Sequence, residues 1–211
     1  MEQEQINNLR KSILEYDKES AKKAAQQAVA AKIDLLKMIE VSTETIRLVG
    51  EKFNKGEVFL PHLIMAADAM KAAMEVLESN IPKDQLVQKF KIVIGTVKDD
   101  IHDIGKNIVS SMMEASGFEL YDIGKDIPEE KFIEKAEEVK ANIIALSALM
   151  TVTMSRQKEV IEELKRLGLR QKYKVMVGGG PITKEWSDQI GADGTGRDAK
   201  TAVMTAKTLV G

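Results

Sequence analysis

The residues with the strongest chemical character sit in one stretch, from Val97 to Asn107. It carries Asp99, Asp100 and Asp103 around His102, one of only two histidines in the chain. Residues 90–96 before it are apolar enough for a buried strand, and residues 108–113 after it have helical spacing. The stretch is therefore a strand-to-helix loop, where α/β proteins place ligands. A phosphate-binding loop would be glycine-rich and free of anions, so this loop is unsuited to phosphate. An aspartate two residues before a histidine suits another task. The carboxylate can hold one imidazole nitrogen while the other faces a metal.

Composition narrows what that metal can be. The chain has no cysteine, which removes disulfides, thiolate sites, iron–sulfur clusters and cysteine nucleophiles. With only His62 and His102, a multi-histidine site is also excluded. A metal can still arrive inside a ready-made macrocycle and ask the chain for one axial ligand. The 211 residues carry 31 basic and 33 acidic side chains, for a net charge of -2. That balance advertises neither nucleic acid nor an anionic membrane as a partner. Met1-Glu2-Gln3-Glu4 resembles no targeting leader, and no apolar run is long enough to span a bilayer. A soluble, cytoplasmic protein is expected.

The elements that position the loop divide into two halves. Residues 1–78 read as helices only, and a small helical bundle is expected there. Ile6, Leu9, Ile13 and Leu14 recur at helical spacing. Asp17 can open a second helix, Asp34 can cap a third, and Pro61 suits the first turn of a fourth. The fourth helix has a wide alanine and methionine face. That face is first of all a core surface, but Phe59, Leu60, Met70 and Met74 could also form a soft apolar lid over a large flat ligand. Residues 79–89, with Pro82 and several charges, read as a linker.

From residue 90 strands alternate with helices. Strands are expected near 90–97, 118–122, 142–148, 173–178 and 192–193, with helices near 105–116, 128–140, 153–167, 183–190 and 197–209. Five such units imply a flavodoxin-like, doubly wound parallel sheet of order 2-1-3-4-5. Its switch point gathers three loops: residues 98–105, the hydroxyl-rich Ser147 to Thr153, and Gly178-Gly179-Gly180. Thr153 is well placed simply to cap the following helix. The glycines can be a plain turn, or can let a long buried tail lie against bare backbone. A phospho-acceptor receiver would end its third strand in aspartate, where this chain has Ser147. A flavodoxin would not place acids in its first loop. Neither fits.

Asp100-x-His102-x-x-Gly105, then Ser147-x-Leu149, then Gly178-Gly179, in that order and in those loops, resembles the signature of the cobalamin-binding family. The helical half, with Gly56-Glu57-Val58-Phe59-Leu60-Pro61 before its alanine and methionine helix, is similar to the cap of methionine synthase. It is more similar still to the corrinoid proteins of methylamine, methanol, betaine and aryl-methyl-ether methyltransferase systems. The resemblance covers essentially the whole chain.

The resemblance implies a corrinoid, cobalamin or its methyl form, bound with its own base displaced. His102 would be the lower cobalt ligand, Asp100 its carboxylate partner and Thr153 the third member of the relay, where methionine synthase has serine. Asp103, Ile104, Gly105 and Leu149 would contact the cofactor. Ser147 and Thr151 would bond its nucleotide tail, Gly178, Gly179 and Gly180 would line the tail's tunnel, and Thr195 and Gly196 fall in a tail-contacting segment. The implied role is a methyl carrier, not an enzyme by itself. Its partners would be a substrate-specific methyltransferase, a folate- or thiol-dependent acceptor methyltransferase and a reductive activating protein. Two other roles share the motif. A radical mutase subunit would lack the Phe59-Leu60-Pro61 cap, and a cobalamin-sensing regulator would add a basic DNA-binding module.

Overall fold

The computed structural model describes residues 2–82 and 89–211. They form two compact units. The first holds four helices, α1 (Glu2–Leu14), α2 (Lys18–Ala30), α3 (Leu35–Asn54) and α4 (Leu60–Ser79). Asp17 caps α2 by accepting from Ser20 N–H at 3.0 Å, and Asp34 caps α3 through Leu36 and Lys37. Helix α2 packs on α4, and it buries Ala21, Ala24, Ala25 and Ala28. Methyl side chains let two helices approach toward the close limit of about 8 Å. Larger residues complete the buried set, among them Leu9, Ile13, Met38, Ile46, Leu63 and Leu77. Each contributes about 2 kcal/mol on leaving water. Of the linker expected at 79–89, residues 83–88 lie outside the described residues.

The second unit alternates strand and helix: β1 (Lys91–Thr96), α5 (Ile104–Ala115), β2 (Glu119–Asp122), α6 (Glu129–Val139), β3 (Ile143–Ser147), α7 (Met154–Arg166), β4 (Lys174–Gly178), α8 (Lys184–Ile190), β5 (Gly194–Thr195) and α9 (Ala199–Val210). The sheet order is β2-β1-β3-β4-β5, with every pairing parallel, as the alternating rhythm predicts. The last strand is two residues long and starts at Gly194, slightly later than its weak sequence signal.

Parallel strands bury both faces, so the alternation along each strand sorts apolar residues between two layers. Val93, Ile144 and Val175 face one core with Phe132, Ile133 and Ile161. Ile94, Ala145 and Met176 lie in register as one row across β1, β3 and β4, on the opposite face. The chain reverses direction across the sheet between β1 and β3, so the loops leaving those strands flank an open crevice.

Candidate functional site

Asp100 is the centre of the site and is fully buried. Its Oδ1 accepts from the His102 backbone N–H at 3.0 Å and lies 2.8 Å from His102 Nδ1. Its Oδ2 accepts from Leu149 N–H at 2.8 Å, Met150 N–H at 3.3 Å and the Thr153 hydroxyl at 2.6 Å. Burial by itself raises the pKa of a carboxyl. Here the bonds from Thr153, from the backbone and ring of His102 and from Leu149 outweigh burial, and they hold Asp100 well below the usual carboxylate range. It is an anion satisfied by neutral donors contributed by its own loop and by the loop after β3.

That anion fixes the tautomer of His102. An ionised carboxylate only accepts, so Nδ1 must carry the proton and donate it. Nε2 of the neutral ring is then left with its lone pair. The ring is 44% exposed and borders the cavity described below. Its main chain is also held, since the buried Thr96 hydroxyl donates to the His102 carbonyl at 3.1 Å. His62 is used differently. Its Nδ1 accepts from Phe59 N–H at 3.2 Å at the start of α4.

The other acids of the loop brace it. Asp99, at φ +66, takes Arg156 Nη2 at 2.6 Å, and its N–H donates to Asp126 at 2.7 Å. Asp126 N–H in turn donates to the Asp100 carbonyl at 3.0 Å. Asp103 lies 3.6 Å from Lys125. Thr153 stands at the N-cap of α7 but makes no capping bond. Its single hydroxyl proton goes to the charged Asp100, the shorter and stronger acceptor.

A cavity of about 530 Å³ opens beside this loop. The row Ile94, Ala145 and Met176 borders it on the sheet side, and Val109 and Met113 of α5 and Ala202 of α9 on the helix side. His102, Asp103, Ile104, Gly105, Ser147, Leu149, Gly178, Gly179, Gly180 and Gly196 all line it. Thr151 is exposed and is not part of the lining, and Thr195 is spent on β5, with its carbonyl accepting from Thr205. In the helical unit Phe59 is 71% exposed, but Met70 and Met74 are buried. The exposed apolar surface of α4 is instead Ile64 and Met65, next to the partly exposed Leu60.

The glycines of the wall differ in what surrounds them. Gly178 faces open space and leaves bare backbone at the cavity. Gly179, at φ +129, is required for another reason, because a Cβ there would strike the Ala148 carbonyl. Gly196 likewise lies against the backbone of Ala202. These two glycines serve close packing of the wall.

Two residues at the cavity escape sequence reading, Ile101 and Lys106. Ile101 is 64% exposed and, with Ile104 and Leu149, gives the cavity an exposed apolar rim. Lys106, at the cavity, is nearly buried and paired with Asp122, with Asn107 Oδ1 at 2.8 Å. The acids on either side of the loop hid its apolar rim. The buried lysine had no signal beyond its place in the first turn of a helix.

Among the described residues no group of three or more His, Cys, Asp or Glu could hold a metal ion alone. The donor set is instead one free imidazole nitrogen on a ring that borders a largely apolar cavity, whose lining includes exposed aliphatic side chains and bare glycine backbone. That fits a flat macrocycle that brings its own metal and trails a long substituent.

The comparisons with known proteins agree with this chemistry. Residues 90–204 match the B12 binding domain family, and residues 5–78 match a second B12 binding domain model. The chain is 46% identical over 210 residues to dimethylamine corrinoid protein 2 of Methanosarcina mazei, covering 99% of this chain and 98% of that one. It is 44% identical over 211 residues to trimethylamine corrinoid protein 1 of Methanosarcina acetivorans, with the same coverage of 99% and 98%. A cobalamin-binding protein of Desulfitobacterium hafniense superposes with TM-score 0.71 at 33% identity, covering 98% of both chains. A chain of the methanol:cobalamin methyltransferase complex of Methanosarcina barkeri superposes with TM-score 0.87 at 29% identity, covering 99% of this chain and 80% of that one. No helix among the described residues is long and apolar enough to cross a membrane. A loop that frees one imidazole nitrogen, a cavity beside it and these matches together place the chain in the B12-binding corrinoid protein family.

Proposed function

We propose that this protein carries a methyl group between two methyltransferases on a corrinoid whose lower ligand is His102. The observation that carries this reading is the tautomer set by Asp100, which leaves Nε2 free on a half-exposed ring at the cavity. When bound, the corrinoid supplies a cobalt centre that accepts a methyl group from an activated donor and yields it to an acceptor. The chain's task is to tune and shelter that centre. Asp100 keeps Nδ1–H engaged and so raises the donor strength of Nε2. Asp100 would hold the ring in place through Nδ1–H, and Nε2 would be the atom that holds the cobalt.

Asp100 receives five donors and has no lone pair left for a substrate. This favours a carrier over a self-sufficient enzyme. The partners in this reading are a substrate-specific methyltransferase, a folate- or thiol-dependent acceptor methyltransferase and a reductive activating protein. The relatives' names point to methylamines as the source of the methyl group. The apolar cavity would take the nucleotide tail between the sheet and helices α5 and α9. The exposed apolar residues Phe59, Ile64 and Met65, with the partly exposed Leu60, would be the helical unit's own apolar contribution to ligand or partner binding.

Reconstitution with methylcobalamin tests the ligand. Wild type is expected to show nitrogen-ligated cobalt, and His102→Ala the spectrum of cobalt without a lower base. Identical spectra would remove His102 from the metal.

A further inference from the structure

Helix α7 reaches the residues around the cavity through more than Thr153. One turn on, Gln157 is fully buried although it is a polar residue. Its Nε2 donates to the Leu146 carbonyl at 3.0 Å and to the Gly178 carbonyl at 3.1 Å. Its Oε1 accepts from Trp186 Nε1 at 3.0 Å. Both amide protons are therefore used, and both accepting carbonyls stand at the ends of neighbouring strands, β3 and β4. Ser147 and Gly178, which line the cavity, are register partners at those same strand ends. The Gly178 carbonyl also accepts from Ala148 N–H at 3.0 Å, so Gln157 completes a lock between the hydroxyl loop and the glycine loop.

The spacing on α7 gives the lock a second meaning. Thr153, Arg156 and Gln157 lie on one helical face at i, i+3 and i+4. They bond Asp100, Asp99 and the β3–β4 mouth respectively. One rigid helix thus spans the ligand end and the glycine end of the site. The strands themselves are also joined by their backbone ladder through Ser147 and Gly178.

We propose that Gln157, itself oriented by Trp186, is a positioning residue that sets the separation of the β3 and β4 loops, and so the fit of the corrinoid's nucleotide tail. The proposal rests on the reading that the tail enters this cavity. Its signature is tail selectivity, which a purely structural role would not produce.

The test compares binding of complete cobalamin with that of cobinamide, which lacks the tail base, by wild type and by Gln157→Met, a variant of similar volume without amide donors. Wild type is expected to prefer cobalamin. In Gln157→Met, cobalamin affinity should fall by about tenfold, the scale of one lost hydrogen bond, with cobinamide affinity unchanged. Equal losses for both ligands, or none, would overturn the proposal. If wild type shows no preference, the tail reading falls first and the proposal falls with it. If wild type prefers cobalamin and the variant keeps that preference, only the Gln157 assignment falls. Trp186→Phe removes the donor to Gln157 Oε1, together with part of the indole packing, while keeping Gln157 and its two carbonyl bonds. It should give a smaller loss in the same tail-selective direction, and a tail-independent loss there would also overturn the assignment.

Discussion

The two histidines occupy contrasting surroundings. His62 Nδ1 accepts a backbone N–H at the start of α4, whereas His102 Nδ1 faces a buried carboxylate and donates to it. The same ring is thereby set in opposite tautomers. In the first, the nitrogen with the lone pair is consumed by a helix end, and the outer nitrogen carries the proton. In the second, the proton is consumed inside, and the lone pair faces the cavity. A histidine becomes a ligand through what binds its other nitrogen.

The largest break in this contrast is Asp100→Ala. It strands the Leu149 and Met150 amides and leaves the Thr153 hydroxyl only the Met150 carbonyl as acceptor. Stability of the cofactor-free protein should fall by roughly 3 kcal/mol, read by chemical denaturation, and His102 should lose its fixed tautomer. An unchanged midpoint would mean that the carboxylate does not organise the loop.

Acid sharpens the contrast more gently. Asp100 has a lower pKa folded than unfolded, so its contribution is fully present above the ordinary aspartate value of about 3.9 and is lost as pH falls toward the lowered folded value. Between neutral pH and about pH 2.5, the melting temperature of wild type should fall more steeply than that of Asp100→Asn. Parallel curves would contradict the ionised, bonded state of Asp100.

The histidines themselves come next. His102→Ala should cost under about 1 kcal/mol in the cofactor-free protein, because the ring is half exposed and Asp100 keeps four donors. Its effect on holoprotein coordination should nevertheless be complete. His62→Ala should cost only about 0.5 kcal/mol, the scale of an exposed helix cap, and leave cobalt coordination as in wild type. A coordination change in His62→Ala would erase the distinction between the two rings.

Much of the frame was legible because its signals are local. The apolar runs, Asp17 and Asp34 as caps, and the strand-helix rhythm each act over a few residues, and strand order then brings the three loops together. The lower side of the site was less legible. Ile94, Ala145 and Met176 look like any buried strand residues, and in a parallel sheet both faces are apolar, so alternation does not say which face opens into a cavity. Thr153 looked equally suited to capping α7, and only the position of Asp100 decides where its proton goes. Met70 and Met74 share a helix with exposed neighbours, yet they are buried. Gly179 is constrained by an Ala148 carbonyl thirty-one residues earlier, a contact no local pattern encodes.

The most direct measurement is electron paramagnetic resonance of the cobalt(II) holoprotein prepared with ordinary and with heavy-nitrogen histidine. A single histidine nitrogen below the metal splits the cobalt lines into triplets, and heavy nitrogen converts them to doublets. The expected result is that conversion in wild type and in His62→Ala, with the nitrogen splitting absent from His102→Ala. Splitting that ignores the histidine label, or that survives in His102→Ala, would show that another base holds the cobalt.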